Sequence, residues 1–250
     1  MRKINLLLIV LFVAANCIAQ QKEEKAKAKP KFSSSYAVKW NPESLFLGKI
    51  STFGEFNFKH KKSVTLGIGI PYNKTITFPV DDKDQNISIK TFSIMGGYRM
   101  YFGKKEMKGF YFEPYLKYLK NNASTIINTD LDGTPTDFVT TSSYSGFGVG
   151  AQLGVQFMIA KRVVFDLFLL GPEANSARHK VSMHDITSTG PWDAQDSAEA
   201  QQEIDDAIGD LPVIGDKLKV TVDANARTVS SDYKGFLPGL RAGLSIGFRF

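Results

Sequence analysis

A chain of 250 residues and 27.7 kDa with 43% hydrophobic and 22% charged content is long enough for one large all-β domain or two ordinary ones, and too apolar for disorder as its main state. The formal charge of +6 is a mild basic excess, and no stretch approaches the roughly 20 apolar residues of a membrane-spanning helix. A mean hydropathy of -0.15 still leaves room for a transmembrane β-barrel, whose alternating strands average out.

Met1 to Ala19 has the three parts of a secretory signal: Arg2 and Lys3, an apolar run from Ile4 to Ala15, and Cys17-Ile18-Ala19 as a small-x-small cleavage site. Cys17 as a lipid-attachment site is the alternative, but Asn16 stands where lipidation prefers a small residue. Cleavage at Gln20 leaves a mature chain without cysteine, so disulfides cannot stabilise it. Removing Arg2 and Lys3 from 31 basic residues leaves 29 against 25 acidic ones, no nucleic-acid signature. Residues 20–32, rich in lysine and without apolar periodicity, read as a basic periplasmic linker.

From residue 33 onward the period is two. Eight strands are expected at 33–41, 45–58, 63–72, 88–102, 110–119, 143–159, 163–171 and 236–250. The last is the clearest: Leu240, Ala242, Leu244, Ile246, Phe248 and Phe250 alternate with Gly239, Arg241, Gly243, Ser245, Gly247 and Arg249. Short basic connections at 60–62, 103–109 and 160–162 alternate with long polar ones at 73–87, 120–142 and 172–235, the layout of an outer-membrane barrel with both termini on the tight-turn side. Aromatics gather at both strand ends, Phe56, Phe58, Phe102, Phe110, Phe157, Phe165, Phe248 and Phe250 at one, Trp40, Phe46, Tyr72, Phe92, Tyr118 and Phe236 at the other. A soluble sandwich or lipocalin-like barrel would instead mix Phe and Leu along its buried face.

The segment Leu237 to Phe250 resembles the C-terminal assembly signal of outer-membrane barrels, with Phe248 and the terminal Phe250 as its carriers. With Asn41-Pro42-Glu43-Ser44-Leu45, Gly109-Phe110-Tyr111-Phe112-Glu113-Pro114-Tyr115 and Asp166-Leu167-Phe168-Leu169-Leu170-Gly171-Pro172, the chain is similar to a family of small Bacteroidetes outer-membrane barrels of unknown function, porin-like or OmpA-type and eight-stranded. The resemblance implies location and assembly by the barrel assembly machinery, and carries no activity.

Strand parity points Glu55, Arg99, Glu113, Lys117, Asp166 and Arg241 into the lumen, with Lys49 and Arg249 nearer the ends. Eight strands enclose a space just wide enough for side chains to fill, so these charges must pair. A hairpin centred on Glu106 puts Arg99 opposite Glu113 as a cross-strand ion pair. A plugged structural core is the expectation, and an ion path or narrow channel the alternative.

The segment 172–235 is expected to form a cap: a helix capped by Asp193 with Ala200, Ile204, Ala207, Ile208 and Leu211 on one face and Asp196, Glu199, Glu203, Asp205 and Asp206 on the other, then a hairpin turning at Asp223-Ala224-Asn225. Gly209 and Pro212 would end the helix. Eight-stranded barrels include lipid-modifying enzymes with Ser and His at the outer rim, and Ser182 and His184 are the weak catalytic candidates; neighbouring Asp185 would diverge from His184 on a strand. Asp82, Asp84 and Asn86 alternate as in a calcium loop but lack its glycine and distal glutamate, and Asp130, Asp132 and Asp137 around Gly133 read as a turn more than a metal site. Asp196-Ser197-Ala198 is similar to a short O-glycosylation acceptor at Ser197.

The sequence thus predicts an all-β protein, an eight-stranded antiparallel transmembrane β-barrel with a long extracellular loop containing a short helix and hairpin. It is expected in the Gram-negative outer membrane with both termini periplasmic, serving a structural, binding or accessory role. The expected partners are outer-membrane lipid and lipopolysaccharide, the assembly machinery, and an envelope protein at 172–235, with no nucleic acid and no cofactor or metal.

Overall fold

The computed structural model describes residues 34–80, 83–131, 134–195, 197–198, 200–202 and 217–250. The signal and linker expected before residue 33, Asp82, Asp132, Asp196, Glu199 and the helical positions from Glu203 to Pro212 lie outside the described residues.

Among the described residues ten antiparallel strands form one sheet: β1 (Ser35–Asn41), β2 (Lys49–Lys59), β3 (Lys62–Pro71), β4 (Lys74–Val80), β5 (Lys83–Tyr101), β6 (Gly109–Leu131), β7 (Thr134–Ile159), β8 (Val163–Asp185), β9 (Leu218–Asp223) and β10 (Thr228–Arg249). Eight close into a ring in the order β1-β2-β3-β5-β6-β7-β8-β10, and β10 returns to β1 with Val38 opposite Phe248 and Trp40 opposite Ile246. The last residue takes part in closure: Phe250 donates its N–H to the Tyr36 carbonyl at 2.8 Å. A closed ring leaves no unpaired strand edge.

Two departures from the expected layout have local causes. The connection after β1 is a 3-10 helix (Pro42–Leu47) that delays β2 from residue 45 to Lys49. Pro42 presets the first helical φ, Ser44 Oγ donates to the Asn41 carbonyl at 2.6 Å, and Gly48 ends the helix at φ +64°, where a side chain would be strained. The second departure is larger. Residues 73–87, 120–142 and 172–235 are not loops around a compact mouth; most of their described length is strand, including β4, the far halves of β5 to β8, and β9. Ser, Thr and Asn replace the apolar residues there, so the strand period persists without its hydropathy signal.

Strands β1 to β3 are short and β5 to β8 and β10 long, so the sheet rises on one side of the ring only. One bulge matters for the interior. Leu169 and Leu170 are both exposed, and the β7–β8 register shifts between Leu153 and Gly154; inward positions are even at Val164, Asp166 and Phe168 and odd from Gly171 to Ala177.

Around the ring the outward face is apolar and exposed: Val38, Ile50, Leu66, Ile94, Leu116, Val149, Leu170 and Leu240 come from all eight strands. The inward face is polar and buried, with Lys39, Glu55, Arg99, Glu113, Gln152, Gln156 and Asp166 at 3% exposure or less. Aromatic rings edge the apolar face at the tight-turn end, where Tyr36 stacks on Phe56 with centroids 4.9 Å apart and Phe58 lies 6.1 Å from Tyr98. At the other edge Phe92 lies 6.5 Å from Tyr118.

Candidate functional site

The ring's centre is one hydrogen-bonded charge cluster. Strand pairing opposes Tyr101 to Tyr111 and Gly97 to Tyr115, the register centred on position 106, and Arg99 Nη2 accordingly lies 2.6 Å from Glu113 Oε2. The same guanidinium reaches Asp166 Oδ2 at 2.6 Å and Glu55 Oε2 at 3.4 Å and stacks 3.7 Å above the Tyr111 ring. Lys39 joins from β1, its Nζ 2.8 Å from Glu55 and 2.7 Å from Asp166.

Two bases face three acids, and neutral donors make up the difference. Tyr101 donates to Glu55 at 2.5 Å, Tyr111 to Asp166 at 2.7 Å, Gln152 to Glu113 at 3.0 Å, and Thr65 to Glu113. Gln156 accepts from both Lys39 and Arg99. Such satisfaction is required where charges are removed from water. The space left among Lys39, Arg99, Asp166 and Arg241 is about 10 Å³, roughly one water. Gly154 and Gly150 make room for Tyr111 and Tyr115, whose rings a methyl at either position would strike.

Lys117 and Arg241 lie outside this cluster. Lys117 pairs with Glu173, which also accepts from the Tyr115 hydroxyl at 2.9 Å. Arg241 has no carboxylate partner among the described residues; it donates to Gln152 Oε1 at 3.0 Å and lies 4.4 Å over the Phe168 ring. Lys49 donates to Ser93 at 3.1 Å, and Arg249 reaches Glu106 at 3.3 Å beside a tight turn. Sequence reading omitted Lys39, Gln152, Gln156 and Glu173. Lys39 shares parity with Ala37 and Asn41 between the outward Val38 and Trp40, a signal present in the sequence; Glu173 lies past the bulge, where parity no longer carries over.

The tall side has a second core of opposite character. Phe138, Trp192, Ala200 and Val229 are buried together, with Met183, Val220, Val222 and Ala224 against them. Asp193 Oδ1 accepts the Gln195 N–H at 2.7 Å, and helical backbone follows at 194, 195, 197, 198 and 200–202. Ser197 Oγ donates to the Asp193 carbonyl at 2.8 Å. The hairpin after β9 closes with the Ala226 N–H on Asp223 Oδ1.

Buried Asp185 holds this core to the wall. It accepts from the Thr187 and Ser188 N–H groups at 2.8 and 3.0 Å and from Trp192 Nε1 at 2.8 Å. Burial disfavours its ionised form, but these donors outweigh that and push its pKa down to about 2.

Ser182 and His184 stand on β8 without forming a triad. His184 Nδ1 contacts Thr228 Oγ1 at 3.1 Å, while Asp185 points to the other face and is committed to Trp192. Asp137 is engaged by Asn128, and Asn86 Oδ1 accepts from Thr77 at 2.6 Å. Among the described residues no group of three metal-ligating side chains occurs. A recess of about 600 Å³ is lined by β5 to β8, including Lys90, Ser124, Ser142 and Lys180, with Asn73 after β3.

No curated protein matches the chain. Among solved structures it is similar to the crystal structure of Acinetobacter baumannii CarO, at 11% identity and a TM-score of 0.41 over 90% of this chain and 100% of that one. The model of a family described as "Protein of unknown function (DUF3575)" matches residues 6–171, more than half of the chain, and ends at the β8 bulge. The chain is therefore a member of the DUF3575 family of proteins of unknown function.

Proposed function

We propose that the protein is an integral outer-membrane β-barrel with a plugged lumen, its termini and tight turns in the periplasm and its tall wall outside the cell, serving a structural or binding role in the envelope. The observation that carries this reading is the inversion of polarity. Leu66 is 63% and Leu240 70% exposed on the outer face, whereas Glu55 and Glu113 are 2% and 0% exposed inside. Hydrocarbon outside the ring stabilises that arrangement and water does not.

The apolar face also has the right height. Phe147 and Phe157 on β7 are ten residues apart, which at about 3.4 Å per residue and a tilt of about 40° spans roughly 26 Å, against about 25 Å for a membrane barrel's apolar band. The filled lumen favours a non-conducting role over a channel.

Unboiled and boiled samples of the purified protein are expected to migrate differently on a denaturing gel, and unchanged mobility counts against the barrel. In planar bilayers the protein is expected to stay silent; large, steady conductance contradicts the plug.

A further inference from the structure

Just beyond the aromatic edge of the apolar face, β5 to β10 carry their outward side chains in register rows. One row runs Ile94, Tyr118, Phe147, Ser176, Phe236. The next, one outward position farther along each strand, runs Phe92, Lys120, Ser145, Arg178, Lys234. The one after runs Lys90, Asn122, Ser143, Lys180, Asp232, Lys219. In two steps the surface changes from aromatic to cationic, and six cations share it with one carboxylate.

That carboxylate is already taken. Arg178 Nε donates to Asp232 Oδ1 at 3.0 Å, and Lys180 stands 3.6 Å from Oδ2. Lys90, Lys120, Lys219 and Lys234 are exposed and have no acidic partner among the described residues. Within the collar the uncompensated charge lies on β5, β6, β9 and β10.

We propose that this cationic collar binds multiply phosphorylated lipid headgroups of the leaflet on the tall-wall side, the chemistry that lipopolysaccharide presents. The inference rests on the membrane reading above and adds the partner's identity. Outward aromatics mark where acyl chains end on their own strands, and on β5, β6 and β10 the next outward residue after Phe92, Tyr118 and Phe236 is Lys90, Lys120 and Lys234, the aromatic-then-cation order of a membrane interface. Lysine and arginine there gain both from the negative surface and from charge-assisted hydrogen bonds to phosphate. An acidic protein partner would not require lysine to follow an outward aromatic on three strands.

The test uses the full chain folded in detergent and native mass spectrometry with two probes, a bisphosphorylated lipid A and zwitterionic phosphatidylcholine. Wild type is expected to retain the bisphosphorylated lipid preferentially, and the variant Lys120→Glu/Arg178→Glu/Lys234→Glu to lose that preference by about tenfold or more. A control triple, Lys61→Glu/Lys105→Glu/Lys161→Glu at the tight-turn end, is expected to keep it. Heat-dependent gel mobility verifies that all three proteins remain folded.

Equal retention of the two lipids by wild type, or unchanged preference in the collar variant, overturns the proposal. So does displacement of the lipid by excess inorganic phosphate or by polyglutamate, which would make the collar a free-anion or acidic-protein site. A wild-type protein with no heat-dependent mobility would instead break the membrane reading itself.

Discussion

The same strands bury opposite things at their two ends. Within the ring β7 buries Gln152 and Gln156 and exposes Leu153 and Phe157; at its far end it buries Phe138 against Trp192, Ala200 and Val229 and exposes Thr141 and Ser143. Strands β8 and β10 make the same exchange, Asp166 and Ser245 giving way inside to Met183 and Val229. The lower region is organised like a membrane barrel and the upper like a water-soluble sheet with an apolar core. A strand has no preference for either; the medium outside it decides which face must be apolar.

The largest effect is expected from breaking the lower core. Arg99→Ala leaves Glu113 and Asp166 without their principal cation in a buried site, which costs about 3–5 kcal/mol. Loss of the heat-stable, fast-migrating gel species would report it. A substitution pair on β7 sharpens the contrast between the media. Val149→Arg, outward on the apolar face, is expected to cost about 2–4 kcal/mol of stability in lipid, whereas Ser143→Arg, three outward positions beyond it, should cost almost nothing. Equal costs in urea unfolding from vesicles would break the comparison.

A smaller, confined effect is expected in the upper core. The Asp185 carboxyl is held near 2, below its ordinary 3.8, so its contribution is complete above pH 4 and is lost as pH falls through 2. In a Trp40→Phe background, Trp192 fluorescence should move to the red over that interval, and Asp185→Asn should show the shift already at pH 7. Gel mobility should be unchanged in both. The smallest effect is expected for Ser182→Ala and His184→Ala, whose partners are a strand neighbour and Thr228; lipopolysaccharide acylation measured by mass spectrometry should not change.

The ring was legible because one face of each strand is apolar and the other polar, which imposes strict alternation, as at Leu240 to Phe250, and because a tight turn fixes register well enough to oppose Arg99 to Glu113. The wall was not legible as strand. In Lys120 to Asn128 both faces meet water or a polar interior, so Asn121, Asn122, Ser124 and Thr125 carry the composition of a loop while the backbone pairs with β7. Glu173 was lost for a different reason: one extra residue at Leu169–Leu170 inverts parity, and nothing in a run of two leucines marks a bulge. Lys39 needed no further signal than the alternation of β1.

Single-cysteine spin labels placed at outward positions 141, 143, 147, 149, 153 and 157 of β7, in vesicles, test the exchange of media along one strand most directly. Labels at 147 to 157 are expected to collide with oxygen and to be shielded from a polar nickel chelate, and the pattern is expected to reverse at 141 and 143. Free access of the chelate to all six positions would contradict it.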